Sequence, residues 1–328
     1  MGTAASPEDS PELRASDLAA LVEAELRRPP PAAARLLAER IRARHGPTTA
    51  AVLFYGSCLR RGTSEGVLDF YALVDSYRAA YSSRALALAN AVLPPNVFYH
   101  EADSGSGERL RAKVAVLTLR DFARGAAGAG LRTGIWARFC QPALAVVLRD
   151  PEAARAVVEA VVEAHLTAVR RVLPLLPVGQ TLSYEALWQR VFRETYAGEM
   201  RPEAETSIEA LYRADPSRYD RVARAALEAL ARRGSEGLEV EIGSDGFRLA
   251  ASAPQASRSA LRRVLAKAVY AAQLFKTAFT FGDWLPYALW KLERHTGTHI
   301  EPSERQRRHP LLFGWPLLWR VLARRELR

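Results

Sequence analysis

Asp69 stands inside an otherwise apolar run, Val67-Leu68-Asp69-Phe70-Tyr71-Ala72-Leu73-Val74, and few folds accommodate a carboxylate there. Such a run predicts a strand, and a lone buried carboxylate is costly unless it meets a cation, a metal or several hydrogen-bond donors. Alternation along the strand sends Asp69, Tyr71 and Leu73 to one face and Phe70, Ala72 and Val74 to the other. Asp69 lies twelve residues after Ser57, where a second apolar run, Ala51 to Tyr55, ends in the turn Gly56-Ser57. Glycine exposes its backbone amide without a Cβ, and serine adds a hydroxyl donor, so the turn is suited to phosphate oxygens. A Gly-Ser pair alone is common in ordinary turns; the strand aspartate makes the pair informative.

Around these two strands the sequence predicts a helix from Ser82 to Ala91, strands at Asn96 to Glu101 and Leu110 to Leu119, and an edge strand at 143 to 148. Strand, strand, helix, strand, strand with short links describes a small mixed sheet backed by helices. Before it, helices are expected at Leu18 to Leu26 and Ala32 to Arg44, separated by Pro29 to Pro31. From Pro151 an apolar stripe through Val157, Val158, Val161, Val162 and Leu166 marks a helix, followed by helices at Ser183 to Tyr196 and Ser217 to Ala231. Leu238 to Ile242 and Phe247 to Ala251, joined by Gly-Ser-Asp-Gly, read as a hairpin. Helices followed by a hairpin resemble a winged-helix arrangement.

The expected organisation is therefore an N-terminal helical extension over 1–50 and an α/β nucleotidyltransferase-like domain, a mixed sheet with helices, over 51–150. A mainly helical, winged-helix-like region follows over 151–252, and a C-terminal helical, basic-aromatic segment over 253–328. In that last segment Arg305 to Arg308 precede Phe313, Trp315 and Trp319. Basic charge beside apolar surface holds a protein against an anionic bilayer without crossing it, while the competing reading packs the same rings as a closing helix.

The net charge of +10 and pI near 9.9 favour polyanionic partners: nucleic acid, nucleotide or anionic lipid. No run of about 18 apolar residues occurs, which argues against a single-pass span. Cys58 and Cys140 are too few for a thiolate metal cluster or a disulfide framework. His165, His295, His299 and His309 show no metal-ligand spacing. Glu8, Asp9, Glu12 and Asp17 make the N-terminus acidic, which argues against a mitochondrial matrix location.

Several ordered blocks resemble those of the mitochondrial-type phosphatidate cytidylyltransferases, the translocator assembly and maintenance family, with this chain as a bacterial-like member. They are Tyr55-Gly56-Ser57, Leu68-Asp69-Phe70, Asn96-Val97-Phe98-Tyr99, Arg111 to Val116, Trp136 to Pro142, Tyr196 to Arg201 and Ala204-Glu205. The resemblance implies transfer of CMP from CTP to phosphatidic acid, giving CDP-diacylglycerol and pyrophosphate with Mg²⁺. It implies that Gly56 and Ser57 cradle triphosphate, Asp69 ligates the metal and Lys113 meets phosphate; the competing role for Lys113 is a snorkelling surface lysine. By the same resemblance Tyr55 and Tyr99 would line the nucleotide site, Tyr55 as a wall residue and Tyr99 as a ribose or base contact. Tyr71 departs from the pattern, standing where a second strand carboxylate is usual. Glu199, matched to the family's aspartate, would supply that acidic function, with Glu205 the next metal candidate. Arg138 and Arg201 suit phosphate or lipid-headgroup recognition, since a guanidinium donates paired hydrogen bonds.

The expected partners are CTP, phosphatidic acid and an anionic membrane surface, with no obligate nucleic acid. The expected location is cytoplasmic, peripheral on the inner face of the cell membrane. Two other classes fit the same residues. One is a nucleotidyltransferase with an RNA, protein or small-molecule acceptor; the other is a noncatalytic nucleotide- or lipid-binding protein, for which Tyr71 is the motive. Winged-helix DNA binding is the weakest reading, because no dense basic recognition helix is evident.

Overall fold

The structure is a computed structural model that describes residues 11–105, 107, 109–129, 134–199, 205–234 and 238–251, together with Val269, Ala272, Gln273 and Lys276. Two helices come first, α1 (Pro11–Leu26) and α2 (Ala32–His45). The first sheet then assembles from β1 (Thr49–Tyr55), α3 (Ser57–Arg61), β2 (Val67–Val74), α4 (Tyr77–Ala80), α5 (Arg84–Val92), β3 (Asn96–Asp103), β4 (Arg109–Thr118), α6 (Leu119–Ala126), α7 (Gly134–Phe139) and β5 (Ala143–Leu148). The helical part contains α8 (Pro151–Val172), β6 (Thr181–Ser183), α9 (Tyr184–Glu199), α10 (Glu205–Arg213), α11 (Pro216–Arg232), β7 (Glu239–Ile242) and β8 (Gly246–Ala251). A mixed α/β sheet followed by helical regions is thus present.

The five strands lie in the order β3-β4-β2-β1-β5. β2 and β4 run parallel, and the other neighbouring pairs are antiparallel. The chain leaves β2, crosses through α4 and α5 to the far edge, and returns through the β3–β4 hairpin. Local chemistry sets the helix starts. Ser76, Ser83 and Thr118 accept the amides of Ala79, Leu86 and Asp121, satisfying donors that the first helical turn leaves unpaired. α8 and α11 share one device, an aspartate cap followed by proline: Asp150-Pro151 and Asp215-Pro216.

The two sheet faces bury different cores. Val52, Phe54, Phe70, Ala72, Phe98 and Val114 pack with Leu37 and Ile41 of α2 and with Tyr77, Tyr81 and Ala87. Leu53, Tyr71, Tyr99 and Ala115 face the other way, into a core that continues through Phe122, Phe139 and Val157 to Trp188, Tyr219 and Leu249. One apolar core therefore joins the sheet to the helical part. It is closed by α1, where Glu25 meets Arg218 of α11 in a buried ion pair. Arg218 Nη2 donates to Glu25 Oε1 at 3.0 Å, and His165 Nε2 stands 3.3 Å from the same Nη2. Glu25 Oε1 also accepts the amide of Ala143 at 3.3 Å, fixing the start of β5. Helix α1 of the N-terminal segment thus takes part in closing the core.

A second, three-stranded sheet has the order β6-β8-β7. Its β7–β8 hairpin lies where the alternating segments and the Gly-Ser-Asp-Gly turn place it. A Cβ at Gly246 would stand 2.2 Å from the Leu182 carbonyl oxygen, so the approach of β6 requires glycine. Trp188 Nε1 donates to the Tyr219 carbonyl at 2.7 Å, locking α9 to α11.

Among the described residues, no helix is long and apolar enough to cross a membrane. Part of the C-terminal region docks on the first sheet. Lys276 donates to the Leu93 carbonyl, to the Pro95 carbonyl at 2.9 Å and to Asn96 Oδ1 at 2.9 Å, where β3 begins. The basic-aromatic stretch from Arg305 to Trp319 lies outside the described residues.

Candidate functional site

Four of the expected site residues lie on a single rung across the sheet. Tyr99 of β3 pairs with Lys113 of β4, Lys113 with Asp69 of β2, and Asp69 with Tyr55 of β1. Residues directly opposite each other in adjacent strands send their side chains to the same face, with backbones about 4.8 Å apart. An aspartate thus has an ammonium-bearing residue on one side and a tyrosine on the other, and Ala143 of β5 completes the rung beside Tyr55. Asp69 and Lys113 are half-buried at the end of the sheet where β1 runs out into Gly56.

Gly56 has φ +94°, a conformation that side-chain-bearing residues rarely adopt. A Cβ built on it would stand 2.9 Å from Asp69 Oδ2. The turn and the carboxylate therefore meet, and only glycine permits the contact. Ser57 follows as the first residue of α3 and is exposed.

Tyr71 lies two residues inward on the same face and is 4% exposed. Its ring packs 5.3 Å from that of Tyr55, 5.3 Å from Phe139 and 6.1 Å from Phe122, centroid to centroid. The position of a second strand carboxylate is thus filled by an aromatic cluster. Asp69 is the one carboxylate on the Tyr55-to-Tyr99 rung, and no group of three His, Cys, Asp or Glu that could hold a metal occurs among the described residues.

Tyr99 is 5% exposed, and its hydroxyl donates to Glu101 Oε1 at 2.8 Å. Burial, reinforced by that hydrogen bond, pushes its pKa up, so the phenol stays protonated. Glu101 also pairs with Arg109 at 3.3 Å and lies 3.6 Å from Arg111 Nε. Arg138 is on α7, beside Phe139, and its Nη1 donates to the Gly134 carbonyl at 2.6 Å. Glu199 ends α9 and Glu205 begins α10, but their side chains, like all of Arg201, lie outside the described residues. Asp75 is at the opposite end of β2 and forms an ion pair with Arg149 at 2.6 Å.

Sequence reasoning assigned no role to Arg60 or Gln141. Arg60 Nη1 donates to Gln141 Oε1 at 2.8 Å, and Gln141 Nε2 donates to the Ala137 carbonyl at 3.0 Å. This chain ties α3 to α7 and braces the Gly56-Ser57 turn. The available signal was a basic residue four places after Gly56, one helical turn on. Cys58 and Cys140 are free and buried on opposite faces of the sheet. Burial pushes the Cys140 thiol up to about 12 and also raises that of Cys58, so neither is poised as a nucleophile. A cleft of about 760 Å³ lies at the other end of the sheet, lined by residues including Arg42, Thr49, Val147 and Arg149, away from Asp69.

No family model matches the chain, and no curated protein matches it. Together with the absence of a membrane-crossing helix among the described residues, which is at odds with a membrane-embedded CDP-diacylglycerol synthase, this overturns the expected membership of the phosphatidate cytidylyltransferase family. The matching blocks have a simpler physical content. Leu68, Phe70, Val114 and Val116 are buried strand positions, and apolar alternation there is what any such sheet demands.

Proposed function

We propose that the chain is a nucleotidyltransferase, which moves a nucleotidyl group from a nucleoside triphosphate to an anionic acceptor and releases pyrophosphate. The observation that carries this reading is the contact of Gly56 with Asp69, in which a turn with an accessible backbone is held against a strand carboxylate. The first sheet then plays the part of a nucleotidyltransferase-like domain. The triphosphate arrives as its Mg²⁺ complex, so the cation is part of the substrate.

In this reading the Gly56 amide and the Ser57 hydroxyl hold triphosphate oxygens, Asp69 faces the substrate's cation, and Lys113 offsets phosphate charge from the neighbouring strand. Tyr55 walls the site, and Arg138 and Arg201 receive the acceptor's anionic group. An ionised phosphomonoester oxygen attacks the α-phosphorus. The new P–O bond forms as the bond to the β-phosphate bridging oxygen breaks, and pyrophosphate leaves with that electron pair. The nucleophile is already charged, so no general base is needed.

CTP and phosphatidic acid are the donor and acceptor to test first. The +10 charge favours anionic acceptors and a peripheral position on an anionic membrane. Purified protein, labelled CTP, Mg²⁺ and phosphatidic-acid vesicles should yield labelled lipid and pyrophosphate in equal amounts. Parallel reactions with RNA, protein and aminoglycoside acceptors separate the acceptor classes. No pyrophosphate from folded protein with any acceptor would sink the reading.

The burial of Tyr71 favours a second reading, a noncatalytic nucleotide- or lipid-binding protein. Tight CTP binding without pyrophosphate release in the same assays is its signature.

A further inference from the structure

On the opposite face of the sheet from Asp69, a cavity of about 210 Å³ opens between α2 and the edge strand β3, lined by Leu37, Arg40, Ile41, Arg44, His100 and Glu101. Arg40 and Arg44 are one helical turn apart, so their side chains share a face of α2. The Arg44 guanidinium lies 5.7 Å from the centroid of the Phe98 ring, which stacks on His100 at 6.4 Å. His45 lies behind this group, 5% exposed, with Nδ1 held at 3.1 Å from the Ala80 carbonyl. The Nε2 atoms of both His45 and His100 are shielded from solvent and have no hydrogen-bond partner among the described residues.

The electrostatics are one-sided. Burial lowers both histidines, His100 to about 4; the charges acting on them come from Arg44 and, for His100, from His45, with no carboxylate offsetting them. Glu101, the one acid in the lining, is occupied on the other face by Tyr99, Arg109 and Arg111. Shielded imidazole nitrogens beside two arginines, with the one acid turned to other partners, describe a site suited to an anion.

We propose that this cavity binds a phosphate monoester group. Two guanidinium groups and the His100 imidazole can surround a tetrahedral dianion from several sides, whereas one arginine already satisfies a planar carboxylate. Leu37 and Ile41 offer an apolar floor for the carbon to which the phosphate is attached. The site stands apart from the Asp69 rung and does not depend on the proposed transfer reaction.

The test uses the full chain. The His100 imidazole resonances, assigned with His100→Gln, are followed while inorganic phosphate, glycerol 3-phosphate or phosphatidylcholine vesicles with and without phosphatidic acid are titrated in. A saturable shift is expected, weakened roughly tenfold or more in Arg40→Gln/Arg44→Gln, whose exposed positions leave folding intact, as circular dichroism will verify. Saturation by glycerol 3-phosphate identifies a soluble ester as sufficient, and saturation by phosphatidic-acid vesicles alone identifies the lipid headgroup. Asp69→Asn should leave the shift unchanged. No shift with any probe, an equal shift in the double variant, or loss of the shift in Asp69→Asn would overturn the proposal.

Discussion

Gly56 and Asp69 are thirteen positions apart in sequence, yet a single added carbon at Gly56 would fall 2.9 Å from Asp69 Oδ2. Two constraints meet at one residue: a φ of +94° and a carboxylate against the backbone. Gly56→Ala should therefore lose about 1–3 kcal/mol of stability and most of its triphosphate binding. Asp69→Asn should melt like the parent while turnover falls on the order of 100-fold or more. Thermal unfolding together with pyrophosphate release separates the two effects, and an active Asp69→Asn protein would remove Asp69 from the chemistry.

Tyr71 should behave as packing. Tyr71→Phe is expected to keep both stability and turnover, because the ring contacts with Tyr55, Phe122 and Phe139 survive. Tyr71→Ala should cost about 3–5 kcal/mol through the void it leaves. A turnover defect in Tyr71→Phe at unchanged melting temperature would show that the hydroxyl matters to the reaction.

Glu199→Gln asks whether a residue outside the strand supplies the second acidic function. Turnover should fall while the melting temperature holds; full activity across Mg²⁺ concentrations would shift attention to Glu205.

The strands, the hairpin and most helices are legible in the sequence because each carries its own short-range pattern. The site is legible only in pieces. Asp69 advertises itself as a charge in an apolar strand, but its alignment with Lys113 and Tyr99 depends on the parallel pairing of β2 with β4, which local periodicity does not encode. Helix α6 follows β4 with no intervening loop, so its apolar positions, Leu119, Phe122, Ala123 and Ala126, run on from the strand's own apolar residues and the change of period is easily missed. Family-like blocks misled for a related reason: burial in a sheet imposes similar alternation on unrelated chains. Arg60–Gln141 joins residues 81 positions apart, and neither looks functional alone.

Acid should weaken the protein at the His165 cluster. Burial, helped by the Arg218 charge, lowers His165 to about 4, against an unfolded value near 6.5. Between these values the unfolded chain binds the extra proton, so this contribution is complete above about pH 6.5 and is lost as pH falls toward 4. Urea unfolding at neutral and acid pH should show a loss on the order of 3 kcal/mol from this residue, with a shallower dependence in His165→Gln. A pH-independent midpoint would refute the assignment.

Glu25→Ala should cost about 3–5 kcal/mol, because it strands the buried Arg218 charge. Burial raises the Glu25 pKa, but Arg218 outweighs it and holds the carboxyl below its usual value, so the pair's contribution persists until pH drops through that lowered value. Urea titration of the variant at neutral pH checks the size.

The same pair has a consequence in time. Glu25 leaves the ribosome 193 residues before its partner Arg218. At 5–20 residues per second that is a wait of roughly 10–40 s. During this interval Leu18, Val22 and Leu26 have no helix α11 to cover them. Until α11 emerges, the apolar face of α1 has only β5 and α8 to rest on, so slow codons between the two segments would lengthen its exposure to aggregation.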